Sequence, residues 1–164
     1  VRRIVLLVHN LRSCHNVGSI LRTAEGLGVE SVMLTGYTPY PLLENDSRIT
    51  HEAKKINQRI AKTALGAEKF VNWQYQANIM TTIQELRNHG YKIFALEQTT
   101  NSISLPRFHP PNMLALVIGN EVEGVEQKII DFCDQSIEIP MQGKKESFNV
   151  VQAAAMSLYY CVFC

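Results

Sequence analysis

Short apolar runs alternate along the chain with segments whose apolar positions recur every three to four residues. Arg3–His9, Ser31–Thr35, Lys69–Trp73, Lys92–Leu96, Leu114–Ile118 and Ser136–Ile139 are rich in aliphatic and β-branched residues and bounded by turn residues, which predicts six strands. Helical spacing appears at Val17, Ile20, Leu21, Ala24 and Leu27, at Ala53, Ile56, Ile60 and Ala64, at Ile79, Ile83 and Leu86, and from Asn149 onward. Near-continuous apolar strands need cover on both faces, and helical crossovers join strands in parallel. The pattern therefore predicts an α/β fold, a parallel sheet with helices on both faces, built as one domain over residues 1–164. Gln98–Asn112, with three Pro and four Ser/Thr, reads as a single long loop bordering a site.

Composition narrows the class. At 46% hydrophobic and 19% charged, the 164 residues are far from the profile of a disordered chain. Apolar runs such as Ile4–Val8 fall well short of the roughly 20 residues that span a bilayer, and Val1-Arg2-Arg3 does not open a signal peptide. A cytoplasmic protein with no membrane partner is expected. Four cysteines in a domain of this size do not make a disulfide framework. A net charge of +1 excludes a generally basic nucleic-acid binder, so any contact with nucleic acid must rest on a local patch.

Ligands of open α/β sheets sit beyond the carboxyl ends of the strands, and three polar segments follow predicted strands there. After the first strand, His9–Asn16 leads into a helix with Asn16 as its cap and Arg22 about one and a half turns in. A capped helix with a solvated arginine is the plain reading; the apolar neighbours Leu21 and Ala24 make a site the sharper one. After the fifth comes Gly119-Asn120-Glu121-Val122-Glu123-Gly124, whose glycines allow close backbone approach and whose Glu121 can accept hydrogen bonds. After the sixth comes Ile139-Pro140-Met141-Gln142-Gly143-Lys144-Lys145-Glu146-Ser147-Phe148-Asn149, where Ser147 or Asn149 can cap the last helix.

The phosphate-binding glycine patterns and the G-x-S-x-G elbow are absent, which weighs against nucleotide and hydrolase chemistry. His9, Cys14 and His15 lack the partner pair a zinc site needs, and the terminal Cys161-x-x-Cys164 lacks the setting of a redox motif, so no metal is expected. His51, Lys55, Arg59 and Lys62 stack on one helix face opposite Ile56, Ile60 and Ala64. Such a stripe is either a solvated face or a contact for RNA backbone.

Taken together the three segments resemble the motifs of the SpoU/TrmH family of RNA ribose 2′-O-methyltransferases, in the SPOUT superfamily. N-x-G-x-x-x-R-T-A is matched by Asn16, Gly18, Arg22, Thr23 and Ala24; I-G-N-E-x-x-G-V by Ile118–Glu121, Gly124 and Val125; I-P-M-x-G-x-x-x-S-x-N-V by Ile139–Met141, Gly143, Ser147, Asn149 and Val150. Val151 departs from the Ser or Ala often found at its position.

The resemblance implies a deep trefoil knot in the C-terminal part of the sheet, which periodicity cannot reveal because chains rarely thread loops. It implies S-adenosyl-L-methionine as cofactor, contacted by Leu96, Gly119, Ile139, Met141, Ser147 and Asn149, and a homodimer. Catalysis falls to Arg22, Asn16, Glu121, Ser147 and Asn149. Arg22 is the family's candidate for receiving the hydroxyl proton, whereas an ordinary guanidinium is suited to binding phosphate or stabilising an alkoxide; both roles stand. RNA, tRNA before rRNA given the absence of an appended N-terminal RNA-binding domain, would meet His51, Lys55, Arg59 and Lys62. Two rivals remain: a catalytically silent RNA-binding relative, and an unrelated α/β enzyme acting on a nucleotide or metabolite.

Overall fold

The computed structural model describes residues 1–164. Seven strands form one sheet: β1 (Arg3–His9), β2 (Ser31–Thr35), β3 (Trp73–Gln76), β4 (Lys92–Leu96), β5 (Ile103–Ser104), β6 (Met113–Ile118) and β7 (Gln135–Glu138). The spatial order is β3-β2-β1-β6-β4-β7-β5, and every paired neighbour runs parallel. Four helices lie between strands, α1 (Cys14–Gly26), α2 (Thr50–Ala64), α3 (Ile79–Asn88) and α4 (Gln127–Ile130), and α5 (Val150–Phe163) follows the last strand.

Alternation along the strands divides the core between the two faces. Ile4, Leu6 and Val8 of β1 pack with Val17, Ile20 and Leu21 of α1 and with Leu158 of α5, while Val5 and Leu7 point the other way, toward Ile79 and Ile83 of α3 and Ile129 of α4. The helices thus cover both faces, as the apolar strands require. α2 lies against α1, and Gly18 permits it: a Cβ there would stand 2.2 Å from the Ile60 carbonyl oxygen. At the opposite edge, Arg2 donates from Nε to the Pro110 carbonyl and from Nη1 to that of Cys161, tying the first strand to the end of α5.

Four local readings need correction. The third strand begins at Trp73, not Lys69, because Ala67–Lys69 forms a 3-10 turn, Phe70 is 79% exposed, and the Trp73 indole donates to the Glu68 carbonyl at 2.9 Å. The presumed loop Gln98–Asn112 contains β5, which pairs with Ile137 and Glu138, and a 3-10 turn at Leu105–Arg107; the sheet has seven strands rather than six. The last strand is Gln135–Glu138, one residue earlier than read. The cap of α1 is Ser13, whose side chain accepts from the Asn16 N–H, which frees the Asn16 side chain for another partner.

Between β7 and α5 the chain passes beside the segment after β4, where Gln98 Nε2 donates to the Glu146 carbonyl at 2.8 Å, and α5 then crosses back to α1. This path is consistent with the knot.

Candidate active site

The carboxyl ends of β4, β6 and β7 open into a cleft walled by Leu96–Gln98 and by the second and third polar segments; His9–Asn16, the first, lies outside the lining, contrary to expectation. Its apolar side includes Leu96, Ile118, Ile139, Met141 and Val150, and its polar rim carries Glu97, Glu121, Glu123, Glu138 and Glu146. Five carboxylates and no lysine or arginine line the cleft, so its field favours a cation and disfavours phosphate.

The segment after β6 is shaped by mutual exclusion. Asn120 and Gly124 exchange backbone hydrogen bonds of 3.0 Å, closing a tight loop. A Cβ on Gly119 would meet the Gly124 carbonyl oxygen at 2.2 Å; one on Gly124, which has φ +70°, would meet Glu97 Oε2 at 2.0 Å. The Asn120 Oδ1 accepts from the Val122 and Glu123 N–H groups, and Glu97 Oε2 accepts from the Val125 N–H.

Glu121 reaches across to the start of α1. Its carboxylate accepts from the backbone N–H groups of Arg12 and Ser13 and, at 3.2 Å, from Asn16 Nδ2. Burial opposes its ionisation, yet these donors outweigh burial and hold the carboxyl below the usual glutamate range. The first and second motifs are therefore one hydrogen-bonded unit. Arg22 lies outside the cleft lining, on the exposed side of α1, and pairs with no carboxylate.

Of the residues expected to hold cofactor, Leu96, Gly119, Ile139, Met141 and Ser147 line the cleft. Asn149 does not; its side chain caps α5 by accepting from the Val151 N–H at 2.9 Å, and so sets where Val150 and Ala153 enter the wall. His51, Lys55, Arg59 and Lys62 are all exposed along α2, and none lines the cleft.

Several residues were not read from the sequence. Glu97 sits directly after β4 and its position at a strand's carboxyl end was a usable signal. Asn10, at φ 56°, holds the Tyr37 N–H through Oδ1 at 3.1 Å and donates to Glu126 Oε1 at 3.2 Å. His9 is buried, with Nδ1 2.9 Å from Thr35 Oγ1 and Nε2 3.6 Å from Glu126 Oε1. Burial pushes its imidazole below the usual histidine range despite the nearby Glu126. Asn10 and His9 join the segments after β1, β2 and β6, a structural role that no motif announced.

The model of the SpoU rRNA Methylase family matches residues 3–159. The chain belongs to the SpoU methylase family. Among this SpoU chain's relatives is a protein of Staphylococcus haemolyticus (strain JCSC1435) assigned to the TrmH family of tRNA/rRNA methyltransferases, 32% identical over 155 residues. That match takes in 94% of this chain but 56% of the relative, so the chain spans little more than half the length of such relatives. The fold of the SpoU chain is shared with an AdoMet-bound rRNA methyltransferase from Sinorhizobium meliloti, at TM-score 0.82 and 20% identity, over 97% of this chain and 55% of that one. It is shared also with a protein whose structure concerns 2-OH methylation of C/U34 on tRNA, at TM-score 0.72 and 19% identity, over 98% of this chain and 94% of that one.

Proposed function

We propose that this SpoU chain, as one methyltransferase domain, transfers the methyl group of S-adenosyl-L-methionine to the 2′-hydroxyl of a ribose in structured RNA. The observation that carries the reading is the carboxylate-lined, cation-free cleft at the carboxyl ends of β4, β6 and β7, joined through Glu121 to the start of α1. A sulfonium and an ammonium suit such a lining; a nucleoside di- or triphosphate does not, which sets aside the nucleotide-enzyme rival. Leu96, Gly119, Ile139, Met141 and Ser147 would hold the cofactor, with Asn149 fixing the end of α5 beside it.

Bound there, the cofactor supplies an electrophilic methyl group on a positive sulfur, and no metal is required. A ribose hydroxyl is a poor nucleophile, so alignment and charge stabilisation decide the rate. Glu121 and Asn16 hold the start of α1 and hence the register of Arg22. Arg22, exposed and paired with no carboxylate, would bind a phosphate, and would either receive the hydroxyl proton or stabilise the charge that develops on the ribose oxygen. The basic stripe of α2 would track RNA backbone.

The RNA is proposed to be tRNA before rRNA, since the neighbour concerned with tRNA is matched over nearly its whole length. A homodimer is supported by α5, which presents Met156, Tyr159 and Phe163 to solvent at 37%, 58% and 63% exposure. The protein would act in the cytoplasm.

Labelled methyl transfer to tRNA and to rRNA from cells lacking the gene tests the reading, with wild type and Arg22→Ala in parallel. Label at alkali-resistant linkages in one RNA class, lost in the variant, is expected. Cofactor binding with no transfer to either class would instead identify a silent RNA-binding relative.

A further inference from the structure

Tyr37 follows β2 at the same edge of the sheet and is 58% exposed, yet it is held at both ends. Its backbone N–H donates to Asn10 Oδ1 at 3.1 Å, and its phenol oxygen accepts from Asn120 Nδ2 at 3.0 Å. Asn120 is itself buried, lines the cleft, and has its amide oriented by the two backbone donors on Oδ1, so Nδ2 is directed at the phenol. Asn10 is equally constrained: its carbonyl also accepts from Asn120 Nδ2, and Gly36 is required beside it because a Cβ there would stand 1.9 Å from Asn10 Oδ1. The result is an aromatic ring fixed in orientation but left uncovered, one side chain away from the cleft.

We infer that Tyr37 is a stacking platform for a nucleobase of the RNA substrate, next to the ribose presented to the cleft. This rests on the function proposed above. A surface tyrosine normally gives up rotamer freedom when a ligand covers it; here both ends are already tethered, so that loss is small. Every base offers a π-face, and base–aromatic stacking contributes affinity without neutralising phosphate. The carboxylates of the cleft repel backbone phosphate and admit the sugar and base side of a nucleotide, which is the side an aromatic ring engages. Arg12, exposed at the same edge with its N–H on Glu121, supplies a nearby cation for the flanking backbone.

The test compares Tyr37→Leu, Tyr37→Phe and Tyr37→Trp with wild type, measuring affinity for tRNA and for rRNA as a function of salt, cofactor affinity, and KM for methyl transfer. Tyr37→Leu is expected to weaken RNA affinity and raise KM about 10-fold with cofactor affinity unchanged, while Tyr37→Phe and Tyr37→Trp stay within about 3-fold. The slope of log affinity against log salt should not change in any of the three, because no ion pair is lost. Wild-type RNA affinity in Tyr37→Leu overturns the platform. So does an equal loss in Tyr37→Phe, which would assign the effect to the tether on Asn120, or a fall in cofactor affinity, which would assign it to the loop. A wild-type protein that binds and methylates neither RNA overturns the proposed function itself, and the platform with it.

Discussion

Glu121 ties the loop after β6 to the start of α1, since one carboxylate satisfies two backbone N–H groups and one amide there. Its carboxyl ionises below the usual glutamate value of 4.5, so the unfolded chain binds its proton more readily than the folded one. The stability it adds is present above about pH 4.5 and lost as pH falls through the lower folded value. Glu121→Gln should accordingly show a smaller loss of Tm than wild type between pH 5 and pH 3. His9 behaves in the same direction for another reason: burial favours its neutral form, so its contribution is full above the ordinary histidine value of 6.5 and declines below it. Comparing Tm at pH 7.5 and pH 5.5 for wild type and His9→Gln checks this, with the steeper fall expected in wild type. Gly18→Ala would drive a Cβ into the Ile60 carbonyl of α2; a cost of about 1–3 kcal/mol and a Tm lower by several degrees are expected. Arg22→Ala should lower kcat by about 100-fold or more, measured by single-turnover methyl transfer.

At the scale of elements, α2 bears the proposed RNA contact. Reversing charge at Lys55 and Arg59 should weaken RNA binding and flatten its salt dependence by roughly one unit per lost phosphate contact, measured by filter binding at several salt concentrations. An unchanged slope would mean a solvated face. The elements themselves were largely legible, because strands buried on both faces leave continuous apolar runs and the amphipathic helices leave a 3.6-residue period. Where legibility failed, local geometry had overridden periodicity. Lys69, Phe70 and Val71 look like a strand in composition, but the 3-10 turn and the Trp73 indole bond delay pairing by four residues. β5 has two residues and pairs only through Ile137 and Glu138, too little to leave a pattern. Asn16 resembles a helix cap, but Ser13 does the capping, and the Asn16 side chain turns instead to Glu121, 105 positions away in sequence.

For the molecule as a whole, the site was legible as three motifs but not as a volume. Sequence order cannot place β6 between β1 and β4 or return α5 to α1, and it is that arrangement which gathers residues 96–98, 118–124 and 137–153 around one cleft. The apolar character of α5 was visible, but its unpaired outer face was not. Tyr159→Glu is expected to shift the proposed dimer toward monomer in light scattering and to leave the far-ultraviolet spectrum intact; a dimer mass retained in the variant would place the contact elsewhere, and a monomer mass in wild type would overturn the dimer. The loop closed by Asn120 and Gly124 has a consequence for how such proteins diversify. Its base admits no substitution at Gly119 or Gly124 without displacing Glu97 or the backbone opposite. Beyond Glu121, its tip is bound only through the main-chain N–H groups of Val122 and Glu123, and Val122 is 84% exposed. Folding therefore places no selection on the side chains at the tip. Descendant lineages can exchange them freely, and whatever constancy those two positions show among relatives records pressure from the molecule they meet outside the chain.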